Sequence, residues 1–139
     1  MIILDTNVLS ALMRTRPNAE VAAWLDRQPA QSVWITAITV FEARFGIALL
    51  ASGRRREAIE KAFTRVLLED LEGRILDFDQ ASAERAAALA AERQRAGRPV
   101  DFRDTQIAGI TLARNATLAT RNTRHFADLS VPIINPWES

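Results

Sequence analysis

Five short apolar runs separated by helical stretches constrain this chain more than any other feature. They are Ile2-Ile3-Leu4, Val33-Trp34-Ile35, Arg74-Ile75-Leu76, Thr117-Leu118-Ala119 and Val131 to Ile134. None is long, and none alternates cleanly with polar residues, so each reads as a strand buried on both faces. Strands of that kind alternating with helices predict an α/β fold around a parallel sheet. The helices expected between them run from Thr6 to about Met13 and, after a break at 14–18, on to about Gln28. Further helices run from Ala37 to about Leu50, from about Glu57 to Glu69, from Gln80 to Ala96 and from about Phe102 to Arg114. Thr36 is placed as an N-cap, Ser52 to Arg56 as a turn, and Gly97 and Pro99 as a stop. Asn122 to Phe126 reads as a short turn or helix. No repeat or linker interrupts the pattern, so residues 1–139 read as one domain.

The available chemistry is narrow. Cysteine is absent, His125 is the one histidine and Lys61 the one lysine. That excludes disulfides, thiolate metal sites, paired-histidine catalysis and a GK[ST] phosphate loop. Carboxylates, hydroxyls and arginines remain, and carboxylates working without histidine or cysteine usually hold a hard cation such as Mg²⁺. The net charge is only +1, but the positive charge is almost all arginine, which permits polyanion binding without requiring it. No apolar run approaches membrane-spanning length, and the opening lacks the pattern of a secretion signal. These features predict a cytoplasmic protein.

Four polar positions fall at strand ends and helix starts, where open α/β sheets keep their active sites. Asp5 follows the first strand, and helix capping alone would account for it. Glu42 lies on the flank of an apolar stripe formed by Ile38, Phe41, Phe45 and Leu49, expected to face the core. A carboxylate there needs a cation, a hydrogen-bond network or a proton, and Arg44 points to another side of the helix. Asp101 and Asp104 stand three apart at the start of an almost wholly apolar helix, with Asp101 read as the cap. Asn122 follows the fourth strand. Capping does not require four segments to converge on one edge of a sheet, whereas a metal site does.

LDTNVLS at the start, ITVFEARFGIALL around Glu42, RDTQIAGI around Asp104, and LATRNTRHF followed by INPW resemble a PIN-domain ribonuclease. More closely, the whole chain resembles the VapC/FitB-like toxins of type II toxin–antitoxin pairs. The resemblance implies a PIN-like fold, a parallel sheet of about five strands sandwiched between helices. It implies Mg²⁺-dependent endonucleolytic cleavage of RNA, with Mn²⁺ as a substitute ion. Asp5, Glu42 and Asp104 match the family's acidic metal-holding positions, and Asn122 stands at a fourth position that is often aspartate. An asparagine there offers a carbonyl oxygen but no charge, which leaves a second metal ion without its full ligand set. Thr6 and Thr120 match supporting hydroxyls. Arg121 and Arg124, with Arg14 or Arg16 as further candidates, are expected to grip the RNA backbone.

The resemblance also implies a VapB-like antitoxin as partner, a homodimer, and a larger toxin–antitoxin complex. Apolar side chains on the first helices, together with Trp24 and Trp34, are expected to exceed what one small core takes up. Two rival readings remain. A response-regulator receiver would need a lysine after a late strand, and Lys61 lies in a helix. A catalytically weak PIN domain that binds RNA or protein is the other, and the missing fourth acid is its motive.

Overall fold

The computed structural model describes residues 1–14 and 16–138. Thr15, within the break expected at 14–18, lies outside the described residues. Five strands, β1 (Ile2–Leu4), β2 (Val33–Thr36), β3 (Ile75–Leu76), β4 (Thr117–Ala119) and β5 (Ile133–Ile134), form one sheet in the order β3-β2-β1-β4-β5. Every pairing is parallel, with Ile2 opposite both Val33 and Thr117 and Leu4 opposite Ala119. Six helices connect and cover the sheet: α1 (Thr6–Met13), α2 (Ala19–Asp26), α3 (Ala37–Leu49), α4 (Arg54–Arg65), α5 (Gln80–Arg95) and α6 (Phe102–Arg114).

The period of two along each strand divides the core in two. Leu4, Val33, Ile35 and Ala119 point to one face, where they meet Val8 and Leu9 of α1, Trp24 of α2 and Phe63 of α4. Ile3, Leu76 and Leu118 point to the other, where they meet Leu89 of α5, Ile107 and Ile110 of α6, and Phe126. Both faces are dry, which explains why no strand alternates with polar residues. The two outer strands shrink to two residues each, shorter than the runs 74–76 and 131–134. An edge strand has only one neighbour to hold its backbone in the ladder.

Three expectations need correction. The helix foreseen from Glu57 starts at Arg54, because Gly53 takes a positive φ and the three arginines form the first turn. It ends at Arg65 and passes into a π-helical turn over Val66–Asp70. The stripe Phe41, Phe45 and Leu49 faces outward rather than into the core, with 58, 50 and 71% exposure. A second row, Val40, Ala43 and Ile47, packs on the core in its place, while Ile38 reaches the other cluster. This helix is apolar on two sides, and periodicity alone does not say which one is covered. Finally, Trp24 is buried and Trp34 partly buried within the single chain, so neither is left over.

Helices α5 and α6 approach closely at Gly109. A Cβ added there would stand 2.5 Å from the Ser82 carbonyl oxygen and 2.6 Å from the Ala86 Cβ. Since the obstacles are backbone and a helical Cβ, the helices themselves would have to move apart. Gly109→Ala is therefore expected to lower stability by about 1–3 kcal/mol. Chemical denaturation checks this, and an unchanged midpoint would show that the pair tolerates separation.

Candidate active site

The chain steps from β1 outward to β2 and β3, and from β4 outward to β5 in the opposite direction. The neighbours β1 and β4 thus flank the point where strand order reverses, the usual place for a crevice in such sheets. Asp5 follows β1 and Thr120 follows β4, so the two meet at its mouth.

Asp5 is only 3% exposed. Its Oδ1 accepts from the Thr6 N–H at 2.8 Å, which makes it the N-cap of α1. Its Oδ2 accepts from the Thr120 hydroxyl at 2.8 Å and from the Asn7 side-chain amide at 3.3 Å. Capping and site geometry therefore coexist in one side chain. Burial pushes the Asp5 carboxyl up to about 6, and the nearby charges of Asp104 and Glu42 push the same way. Hydrogen bonds from Thr120 and Thr6 oppose the shift without cancelling it.

Glu42 projects from α3 toward the same edge. Its Oε1 accepts from the Thr6 hydroxyl at 2.8 Å, and its Oε2 lies 3.8 Å from Nη1 of Arg103. Behind Thr6 stand Thr39, 3.1 Å away, and Thr36, 3.4 Å beyond. With Thr6 donating to Glu42, the hydroxyls form a chain directed from the end of β2 to the carboxylate. Arg44, the rival partner weighed from the sequence, lies over the Phe63 ring at 4.6 Å. Asp104, partly exposed in the first turn of α6, has its Oδ2 3.4 Å from Nδ1 of His125. Asp101 caps that helix, its Oδ1 accepting from the Asp104 N–H at 3.1 Å.

Asp5, Thr6, Glu42 and Thr120 are thus joined by direct hydrogen bonds, and Asp104 acts on Asp5 through its charge. Asn122 is exposed at the rim and is tied in through its backbone, its N–H donating to the Thr120 hydroxyl at 3.0 Å. Arg121 lies over the Trp137 ring at 4.9 Å, its N–H donating to Asn7 Oδ1. Arg124 lines a small cavity of about 160 Å³ with Arg98, Asp104 and His125. Arg14 lines a larger cleft of about 420 Å³ between α1, α3 and α4 that opens onto Thr6 and Glu42, while Arg16 is exposed.

Four members of the site escape a reading of the sequence: Asn7, Thr39, Arg103 and His125. Thr39 carries a faint signal, as the position whose N–H the cap Thr36 accepts. Asn7 reaches Asp5 two residues away but also Thr120 and Arg121 on another segment, and the partners of Arg103 and His125 lie wholly on other segments. The donor set is all oxygen and acidic, which suits a hard divalent cation. Among the described residues no three carboxylates or imidazoles gather into a ready-made cage. Mg²⁺ does not need one, since it keeps several waters and takes one or two carboxylates together with substrate phosphate. The site fits such an ion.

A family model for the PIN domain matches residues 2–131. The chain is 40% identical over 139 residues to the plasmid stability protein StbB of Pseudomonas syringae, which covers all of both chains. It is 38% identical to the VapC ribonuclease Y4jK of Sinorhizobium fredii and 37% identical to the toxin FitB of Neisseria gonorrhoeae, each match covering 99% of both chains. The crystal structure of FitAcB from Neisseria gonorrhoeae contains a chain that superimposes over the full length of both at a TM-score of 0.88 and 37% identity. The chain belongs to the PIN-domain family, in the group that holds VapC-type ribonucleases and the toxin FitB.

Proposed function

We propose that this protein is a divalent-metal-dependent endoribonuclease and the toxin of a type II toxin–antitoxin pair. The observation that carries this reading is Asp5, a buried carboxyl raised to about 6 with two more acids acting on it. A cap needs neither the burial that raises this carboxyl nor two further acids near enough to add to the shift.

Asp5, Glu42 and Asp104 would hold the ion, Mg²⁺ or Mn²⁺, with Asn122 offering a neutral oxygen at the rim. When bound, the ion supplies charge neutralisation and Lewis acidity for hydrolysis of a phosphodiester. Thr6 and Thr120 occupy one oxygen of Glu42 and one of Asp5, which fixes how each carboxylate is turned. Arg103 balances Glu42 and, being half exposed, offers donors to an RNA phosphate. Arg124, exposed beside Asp104, is the better candidate for backbone contact, because Arg121 is already engaged by Trp137.

The outward face of α3 supports a homodimer. Phe41 and Phe45 lie nearly parallel with ring centroids 6.0 Å apart and with Leu49 in the same row. Such an exposed apolar patch marks an interface more often than a free surface. The likeness to a chain of the DNA-bound VapBC of Salmonella typhimurium, at 25% identity and a TM-score of 0.78, supports an antitoxin partner of VapB type. Among the described residues no helix is long and apolar enough to cross a membrane.

RNA cleavage is expected to require Mg²⁺ or Mn²⁺, to stop with chelator and to resist rescue by Ca²⁺. Asp104→Asn should abolish both cleavage and tight Mn²⁺ binding. A protein that binds RNA with the metal present but never cuts it would favour the binding-module reading.

Asp5 also predicts a pH dependence for the metal-free protein. The carboxyl titrates near 3.8 in the unfolded chain and near 6 in the fold, so the folded state holds the proton longer. Its stabilising contribution is complete below about pH 4 and is lost as pH rises through 6. Across that window Asp5→Asn should gain on the wild type by as much as about 3 kcal/mol. Thermal unfolding in chelator at pH 4 and 7.5 reads the difference, and parallel profiles would show that the Asp5 carboxyl is not raised in the fold. Separately, Phe41→Glu combined with Phe45→Glu should turn a dimer into a folded monomer in sedimentation. Persistence of the dimer would place its interface elsewhere.

A further inference from the structure

Arg93, near the end of α5, is 5% exposed, and each nitrogen of its guanidinium donates a hydrogen bond. Its Nε and Nη2 fork onto Asp128 at 2.9 and 3.0 Å. Nη2 also donates to the His125 carbonyl at 2.7 Å, and Nη1 donates to the Thr105 hydroxyl at 3.3 Å. The Thr105 hydroxyl in turn donates to the Asp101 carbonyl at 2.7 Å, and Arg98 adds a second cation on Asp128 at 3.1 Å. The hydrogen bonds from Arg93 lead the forces that hold the Asp128 carboxyl below its usual range.

A buried ion pair is a poor source of stability, because desolvation offsets most of the attraction. What the planar fork does supply is geometry. The three segments it joins are the end of α5, the first turn of α6 and the turn 122–128. The second carries Asp104 beside Thr105. The third carries Asn122 and His125, whose ring faces Asp104.

We infer that Arg93 is a positioning residue, whose fork onto Asp128, His125 and Thr105 sets the separation of Asp104 from the Asn122–His125 turn. The inference rests on the nuclease reading of the same site. Lysine in place of Arg93 keeps the charge but reaches one acceptor where arginine reaches three. The turn then drifts relative to α6, and the site loses its spacing while its carboxylates remain.

The test compares wild type, Arg93→Lys and Asp128→Asn, each well below its unfolding temperature. His125 is the only histidine, so its ring gives a single set of NMR signals that reports the Asp104 contact directly. The expected result is displaced His125 ring signals, Mn²⁺ affinity weaker by about tenfold or more, and kcat for RNA reduced by a similar factor with KM little changed. Asp128→Asn should act in the same direction and decides the matter should Arg93→Lys not fold. Folded variants with wild-type ring signals, Mn²⁺ affinity and kcat would overturn the inference and leave Arg93 a structural strut. If the wild type itself neither cuts RNA nor binds Mn²⁺, the nuclease reading fails, and the ring signals still judge the positioning role.

Discussion

The desolvated carboxyl of Asp5 is the constraint around which the rest of this molecule is arranged. One of its oxygens starts α1, and the other is held by Thr120, the residue after β4. A single side chain therefore joins the central strand, the helix that follows it and the neighbouring strand across the reversal of strand order. The cost is a charge in a place with almost no water. The Thr120 hydroxyl, the Thr6 N–H and the Asn7 amide meet that cost only in part, as the raised carboxyl shows. Every other polar group at this edge then falls into place. Donors lie on the inner side, further acids on the outer side, and Arg103 and His125 rest against those acids.

Such an arrangement needs rigid support on both faces of the sheet. On one side the middle of α6, from Ile107 to Thr111, is buried and pressed against α5 at Gly109, where no side chain fits. That pair of helices carries Asp104 and Arg93, so the closeness that demands glycine also fixes where these two residues stand. On the other side α1 and α3 are joined through Thr6, Thr39 and Glu42. Helix α3 performs two tasks at once. Its inner row packs on the core, its flank presents Glu42 to the site, and its outer row is left for another surface.

Much of this was legible beforehand for local reasons. Strands buried on both faces leave continuous apolar runs, and caps such as Thr36, Asp101 and Asp5 act within three residues of themselves. Asp5 follows a strand, Asp104 lies in the first turn of a helix and Glu42 in the second turn of the helix after β2, and a parallel sheet brings those places toward one edge. The errors have a common cause. Gly53 moved the start of α4, and the covered side of α3 was inverted, because in both cases two local solutions were equally good. Tertiary packing chose between them.

The class of fold, the two apolar faces of the sheet and the placing of Asp5 and Asp104 at a strand end and a helix start are written in the order of residues. Each follows from periodicity or from chemistry acting over a few residues. That Arg103 reaches Glu42, that His125 faces Asp104, and that Arg93 joins residues 12, 32 and 35 positions away is a matter of tertiary packing. Those pairings depend on distances between elements, set by how closely helices cross and where the turns between them close. Nothing in the local order of residues encodes such a distance, so it exists only once the core has packed.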